Sequence, residues 1–337
     1  MAKAPYLRTV KTPASLAADF TISLVPVLIW AVYLFGARVL TLAAISCLFC
    51  FGADFLWRRY YKKYPVRDAV DPFCGVYGLL LACMLPVAVP LWIPMIGALV
   101  TVVGKNLRVF GDRKLFCPPV LGATLLGIAY PGYLRCFTRP FAYFNAFSFS
   151  IDGQLVDAYR VISPLQLLGG GQVYEDGVIP QFYGYASGCI GEVAVAAILL
   201  GAVYLLLRRA IDFRPIVSCL ATVFAIAYVF PSEDAETIYY TFSAILAGGL
   251  ILLSVYACND YGATPVTARG KIIFGAGVGA LTMLFRAVWG GFEGAYPAVL
   301  LMNAASPLLD RFAARRPFGA LAQRASSRRG KSKEARG

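Results

Sequence analysis

Several stretches of roughly 20 residues run through this chain without a single Lys, Arg, Asp or Glu. That is about the length an α-helix needs to cross the hydrocarbon core of a bilayer. Over 337 residues only 15% are charged and 59% are hydrophobic, with a mean hydropathy of +0.68. A soluble domain needs far more surface charge than that. Length alone would allow two soluble domains, but the hydropathy excludes them. The chain reads as an all-α integral membrane protein.

Ten transmembrane spans are expected, near residues 19–36, 39–57, 74–91, 92–104, 116–131, 188–207, 214–230, 238–257, 271–289 and 293–309. The fourth and fifth are short and rich in Pro or Gly. Tilted, broken or re-entrant segments of that kind are tolerated only where protein buries the freed backbone. The spans divide the chain into a cytoplasmic N-terminus (1–18), a first membrane half (19–131), a large outer loop (132–187), a second membrane half (188–310) and a basic cytoplasmic tail (311–337). The first long apolar run starts near residue 20 and another follows at once, so no cleavable signal peptide is expected. Each half has five spans, the first set starting inside and the second outside. That is the layout of a five-plus-five inverted repeat, which tends to place a site near the midplane.

Charge sets the orientation. With both termini in the cytoplasm, twenty-six of the 31 basic residues lie on cytoplasmic segments, as the positive-inside rule favours. Arg38, Arg135, Arg139 and Arg160 fall outside, and Arg286 falls within a span. The outer side carries acid instead, at Asp152, Asp157, Glu175, Asp176, Glu233, Asp234 and Glu236. The net charge of +13 therefore describes topology and attraction to anionic lipid, and requires no nucleic acid. The outer loop far exceeds the usual connector of about 4–6 residues. It is rich in aromatics and Gly, suited to the membrane interface or to an outer partner.

Histidine is absent, which removes imidazole bases and ligands. The nine cysteines include one CxxC, Cys47 and Cys50. At i, i+3 on a helix the two thiols share a face; they suit a metal, a cluster or a redox pair, or simply packing. Glu192 opens the sixth apolar run after Gly188, Cys189 and Gly191, as a helix N-terminal stabiliser or as an ion or proton relay. Asn259, Asp260, Thr264 and Thr267 crowd into a Gly/Pro break after the eighth run, where freed backbone and hydroxyls can bind an ion or a phosphate. Arg286 and Glu293 are spaced to make a structural pair, with a snorkelling Arg as the alternative. The Asn303–Pro307 stretch reads as a kinked helix. No catalytic side chain and no metal-ligand set is assigned, and no GxGxxG follows a strand.

Three segments carry a family resemblance. They are YGLLLACMLPVAVPLWIPMIGALVTVVGK (77–105), SGCIGEVAVAAILLGAVYLLLRRAIDFR (187–214) and FGAGVGALTMLFRAVWGGFEGAYPAVLLMNAASPLLDR (274–311). In order and spacing they resemble the D subunit of the Rnf electron-transport complex, whose family includes the B subunit of the sodium-translocating NADH:quinone reductase. The resemblance implies a multi-pass component of the bacterial inner membrane, not catalytic alone. It would sit within a complex that moves electrons between ferredoxin and NAD and couples this to Na⁺ or H⁺ movement.

The family carries FMN esterified through its phosphate to a Thr in D-x-x-(S/T)-G-A-T. The matching stretch here is DAYRVISPL, which keeps Asp157, puts Arg160 at the Ser/Thr position and offers Ser163 as the acceptor. Ser163, Asp157 and Arg160 are therefore the expected flavin residues; a second, non-covalent flavin is compatible with the resemblance. The Gly-Ala of the motif is Val161-Ile162 here. Cytoplasmic F-N-P-A is Phe116-Cys117-Pro118-Pro119, and T-D-P-V-T is Asn259 to Ala263, with Asp260 retained. These departures leave two alternatives beside the redox relay: a flavin-free transporter or channel on the same scaffold, and a structural component that anchors redox partners.

Overall fold

The computed structural model describes residues 12–63, 65, 70–107, 114–149, 151, 153–172, 177–231, 236–289 and 293–313. The basic tail beyond Ala313, most of the N-terminal segment, and Asp152, Glu175, Asp176, Glu233 and Asp234 lie outside the described residues.

The fold is helical throughout the described residues, as expected, apart from one isolated bridge between Thr138 and Arg160. Helix α1 (Pro13–Phe35) begins with a capping box. The Thr12 side chain accepts the Ser15 N–H at 3.2 Å, and Ser15 returns an acceptor to the Thr12 N–H at 3.1 Å. Two of the N–H groups that a helix start leaves open are thereby satisfied. Gly36, at φ +80°, ends α1. Helix α2 (Arg38–Leu56) runs on through a π-helical turn, Trp57–Tyr61. Then come α3 (Phe73–Cys83), α4 (Trp92–Asn106), α5 (Pro118–Ala129) and the short α6 (Pro131–Leu134), α7 (Gly153–Ala158), α8 (Pro164–Gly169) and α9 (Val178–Tyr183). The second part holds α10 (Val195–Leu207), α11 (Phe213–Val229), α12 (Thr237–Leu246) and α13 (Leu250–Leu252), continued by a π-helical turn, Leu253–Ala257. It closes with α14 (Ala268–Trp289) and α15 (Ala295–Ala313).

The expectation of ten spans arranged as a five-plus-five repeat is corrected by these lengths. Among the described residues three helices are long and apolar enough to cross a membrane: α1, α2 with its π turn, and α14. A fourth is added if α12 and the α13 segment, bent by 58° at their break, count as one span. Helices α3, α5, α10 and α11 are apolar but span only 10–17 residues, and no five-plus-five repeat emerges from this set. The reason is that an apolar run is not a helix. The run expected at 74–91 stops being helical at Cys83, just before Pro86, and the run at 188–207 becomes helical only at Val195.

Irregular backbone between these short helices is buried, so it must find hydrogen bonds inside the protein. The Gly191 N–H donates to the Cys83 carbonyl at 2.7 Å and the Ile190 N–H to the Leu85 carbonyl at 3.1 Å. The lead-in to α10 thereby closes the C-terminal end of α3. Residue 191 has to be Gly, since a Cβ there would stand 2.7 Å from the Cys83 Cβ. Arg38 performs the same task on a larger scale. It is fully buried, and its guanidinium donates to the carbonyls of Val87, Val89, Asn145 and Ser148 at 2.9–3.1 Å. One side chain thus ties the start of α2, the segment after α3 and the 142–149 segment together.

Candidate functional site

A narrow cleft of about 70 Å³ lies among α5, α8, α9, the lead-in to α10 and the α12–α13 break. Ser163, Arg135, Gln181, Glu192, Glu293 and Tyr296 are among its walls. The 157–163 segment is held against residues 137–139 by backbone bonds, Arg139 N–H to Tyr159 O at 3.1 Å and Val161 N–H to Phe137 O at 3.0 Å. Ser163 then caps α8. Its Oγ accepts the Gln166 N–H at 3.3 Å, and Gln166 Oε1 accepts the Ser163 N–H at 3.1 Å. Pro164 occupies the first helical position, where a missing N–H is harmless. Ser187 Oγ donates to the Ile162 carbonyl at 3.0 Å and fixes the segment from the other side.

The three expected flavin residues are separated. Ser163 is buried in the cleft wall. The Asp157 and Arg160 side chains are 73% and 56% exposed, 3.9 Å apart and not part of the cleft. The cation that does line it is Arg135.

Glu192, Arg286 and Glu293 come together at the α12–α13 break. Arg286 donates to the carbonyls of Ala244 and Ala247 at 2.5 and 2.8 Å, satisfying the open C-terminal end of α12. Glu293 lies 3.9 Å from Arg286 Nη2, its carboxylate set against the turn at Gly248. The expected pair therefore exists as an ion pair at long range, with Arg286's closer contacts made to the broken backbone.

Asn259, Asp260 and Thr264 form a separate cluster away from that cleft. Asp260 Oδ1 accepts the Tyr77 hydroxyl at 3.2 Å and lies 3.9 Å from Lys114 Nζ, which also bonds Tyr77. Asp260 Oδ2 is buried without a partner. Asn259 Oδ1 accepts the Asp212 N–H at 3.0 Å, and Thr264 Oγ1 donates to the Asp260 carbonyl at 2.8 Å. Asn259 and Thr264 line a second cleft with Arg209, Asp212 and Lys271. Partial burial pushes the Asp212 carboxyl up, but the Arg214 N–H and Lys271, 3.1 Å away, outweigh it and hold the group below the usual carboxylate range.

The CxxC thiols point to different neighbours, Cys47 Sγ to the Gly75 carbonyl at 3.5 Å and Cys50 Sγ to the Ala98 carbonyl at 3.8 Å. Among the described residues the group close enough to share an ion is Asp54, Asp71 and Cys74. Its centre is taken by Lys105 Nζ, 2.8–2.9 Å from each of them. Sequence reasoning treats Arg38 and Lys105 only as topological charges and does not single out Asp54. The signal that could find them is a charge flanking or interrupting an apolar run, which in a membrane protein needs a named partner.

The fold and this cleft define a class: a helical membrane protein with a buried, mixed-charge site at a broken helix. The family model described as the NQR2, RnfD, RnfE family matches residues 1–319, and the chain belongs to that family. It is similar to the D subunit of the Na(+)-translocating ferredoxin:NAD(+) oxidoreductase complex of Acetobacterium woodii, 31% identical over 327 residues and 95% of each chain. It is also similar to the D subunit of the ion-translocating oxidoreductase complex of Stutzerimonas stutzeri, 29% identical over 88% of this chain and 90% of the relative. The D subunit of the proton-translocating ferredoxin:NAD(+) oxidoreductase complex of Clostridium ljungdahlii is 25% identical over 95% and 96%.

Proposed function

We propose that this chain is a membrane component of an ion-translocating ferredoxin:NAD⁺ oxidoreductase complex of the inner membrane, relaying electrons through flavin and contributing to the ion path. NAD and ferredoxin chemistry then belongs to partner subunits. Near full-length similarity to the D subunits of such complexes supports this placement. The observation that carries the flavin assignment is the buried Ser163 hydroxyl in the wall of a cleft that Arg135 also lines.

The residues fit an FMN phosphoester. Ser163 Oγ would carry the phosphate, with Arg135 in the same cleft wall as the cation that would offset its charge. An ester oxygen keeps the lone pairs that accept the Gln166 N–H, so the cap of α8 survives the modification. FMN supplies one- and two-electron acceptance when bound; the chain's part is to hold it and exclude water. Glu192, Glu293 and Asp260 are the acids assigned to the ion path, for Na⁺ or H⁺.

The test is peptide mapping of protein expressed with its flavin-transfer machinery. The Ser163 peptide should gain the mass of FMN less water, and Ser163→Ala should lose it while the protein still inserts. Denaturation should release any second, non-covalent flavin into the supernatant. One observation favours the flavin-free scaffold reading, because the capping box gives Ser163 a structural role of its own. An unmodified Ser163 peptide in an assembled, ion-translocating complex would establish that reading.

A further inference from the structure

The α12–α13 break turns through Gly248, at φ +71°, and two carboxyl groups converge on it. A Cβ built on Gly248 would stand 2.3 Å from Glu293 Oε2, and one on Gly249 3.3 Å from Glu192 Oε1. Both glutamates line the cleft that holds Ser163, their carboxyl groups set against neighbouring residues of the break. Glu192 is otherwise satisfied: Oε2 accepts the Cys189 N–H at 3.0 Å and Oε1 the Tyr296 hydroxyl at 3.1 Å. Glu293 Oε1 is buried without a hydrogen-bond partner. The neighbouring cation is Arg286, whose side chain is nine-tenths buried. Its two terminal nitrogens serve the Ala244 and Ala247 carbonyls, and its Nε is unpartnered.

Charge counting leaves the cluster one positive charge short. Two ionised carboxylates facing one guanidinium carry a net negative charge in a buried site, where uncompensated charge is expensive. Two carboxylates also have acceptors only, so a proton on one removes the excess charge and gives the pair the donor it lacks. We propose that Glu192 and Glu293 form a carboxyl pair that holds one exchangeable proton at the floor of the cleft. A metal cation fits less well, because Arg286 already faces the orphaned oxygen at 3.9 Å. A proton neutralises one carboxyl and needs no further ligands.

The groups facing the pair come from every packed element. Cys189 and Tyr296 face Glu192, Arg286 of α14 faces Glu293, and Tyr240 of α12 and Cys219 of α11 face Arg286. Exchange runs through the cleft, since both carboxyls belong to its wall. The pair deepens the ion-path reading and rests on it only for the proton's role, not for its presence.

The experiment is infrared spectroscopy of the purified full chain in nanodiscs, at neutral pH in potassium buffer. The wild type should show the carbonyl stretch of a protonated carboxylic acid that shifts in D₂O. Glu192→Gln and Glu293→Gln should each abolish it, because the remaining carboxyl ionises. Tyr296→Phe should move the band without removing it, and it tests the assignment even where a Gln variant fails to fold. Absence of the band in the wild type, or its survival in both Gln variants, overturns the proposal. So does loss of the band on adding Na⁺, which makes the pair a sodium site. A band that behaves as expected, with ion transport by the assembled complex unchanged in Glu293→Gln, keeps the proton and removes the pair from the ion path.

Discussion

Replacing Arg38 by Met should destabilise the protein strongly. The guanidinium makes four bonds of 2.9–3.1 Å, all to backbone carbonyls. Hydrogen bonds to a charged group contribute about 1.5–3 kcal/mol each, which sets a gross figure near 6–12 kcal/mol. Against it stands the desolvation of a buried charge whose four acceptors include no carboxylate, several kcal/mol in real proteins. Met fills much of the volume, but it leaves four carbonyls without their donor, and each such loss costs about 1–3 kcal/mol. The net expectation is a loss of about 3–5 kcal/mol, in line with breaking a buried polar network. Arg38→Lys should recover part of this, because one ammonium has three donors and no fork to span carbonyls on separate segments.

The assay is built into the chain. Cys50, Cys74, Cys83, Cys117, Cys189, Cys219 and Cys258 are free and buried, so a thiol-reactive fluorophore reports the temperature at which the interior opens. By the scaling of soluble domains, about 2–4 °C per kcal/mol, Arg38→Met should label roughly 6–20 °C below wild type, with Arg38→Lys between them. A Met variant that labels at the wild-type temperature would refute the reasoning, and would mean that the three segments are held by packing alone.

Lys105→Met should leave Asp54 and Asp71 short of a counter-charge. A loss of about 3–5 kcal/mol is expected, partly restored by Zn²⁺ bound to Asp54, Asp71 and Cys74; a melting temperature indifferent to Zn²⁺ would exclude that site. Gly248→Ala combines a left-handed φ with a Cβ 2.3 Å from the Glu293 carboxylate, so it should cost at least the roughly 1–2 kcal/mol of the conformation alone and weaken the infrared band of the pair. Asp212 has a lowered pKa in the folded state, so its contribution is full above the unfolded value near 3.9 and is lost as pH falls through the folded one. Asp212→Asn should therefore lower stability at neutral pH and flatten the acid limb of the stability profile, and an acid limb identical to wild type would contradict this.

The membrane class, the family and several buried charges are legible in the sequence, because burying a charge in an apolar run demands a partner whatever the fold. Glu192, Arg286 and Glu293 stand out on that ground, and the structure brings the three together. The spans are misread for a related reason. Hydropathy records which residues avoid water, whereas helix length depends on where Pro86, Gly191 and Gly248 interrupt the backbone. An interrupted run is as apolar as a continuous one when its freed carbonyls are closed by a distant segment, as Cys83 and Leu85 are by residues 190 and 191. Motif spacing joins Asp157 to Ser163. A six-residue offset does not fix side-chain direction across an irregular turn, and the structure turns one to the surface and the other into the cleft.

The α12–α13 break shows why charge and irregular backbone occur together here. Cutting a helix leaves carbonyls open at the end of its first half and N–H groups open at the start of its second. It also exposes a negative dipole end and a positive one. Arg286 sits on the carbonyls of Ala244 and Ala247, and the Glu293 carboxylate lies against Gly248 where the second half starts, so each charge meets the helix end of opposite sign. Neither would be tolerable beside an intact apolar helix, and the break would not be tolerable without them. The 3.9 Å gap between Arg286 and Glu293 follows, since Arg286 is held by the carbonyls it caps before it is held by Glu293. A site assembled this way keeps one carboxyl oxygen uncommitted beside a cleft, and that oxygen is where an exchangeable charge can be held.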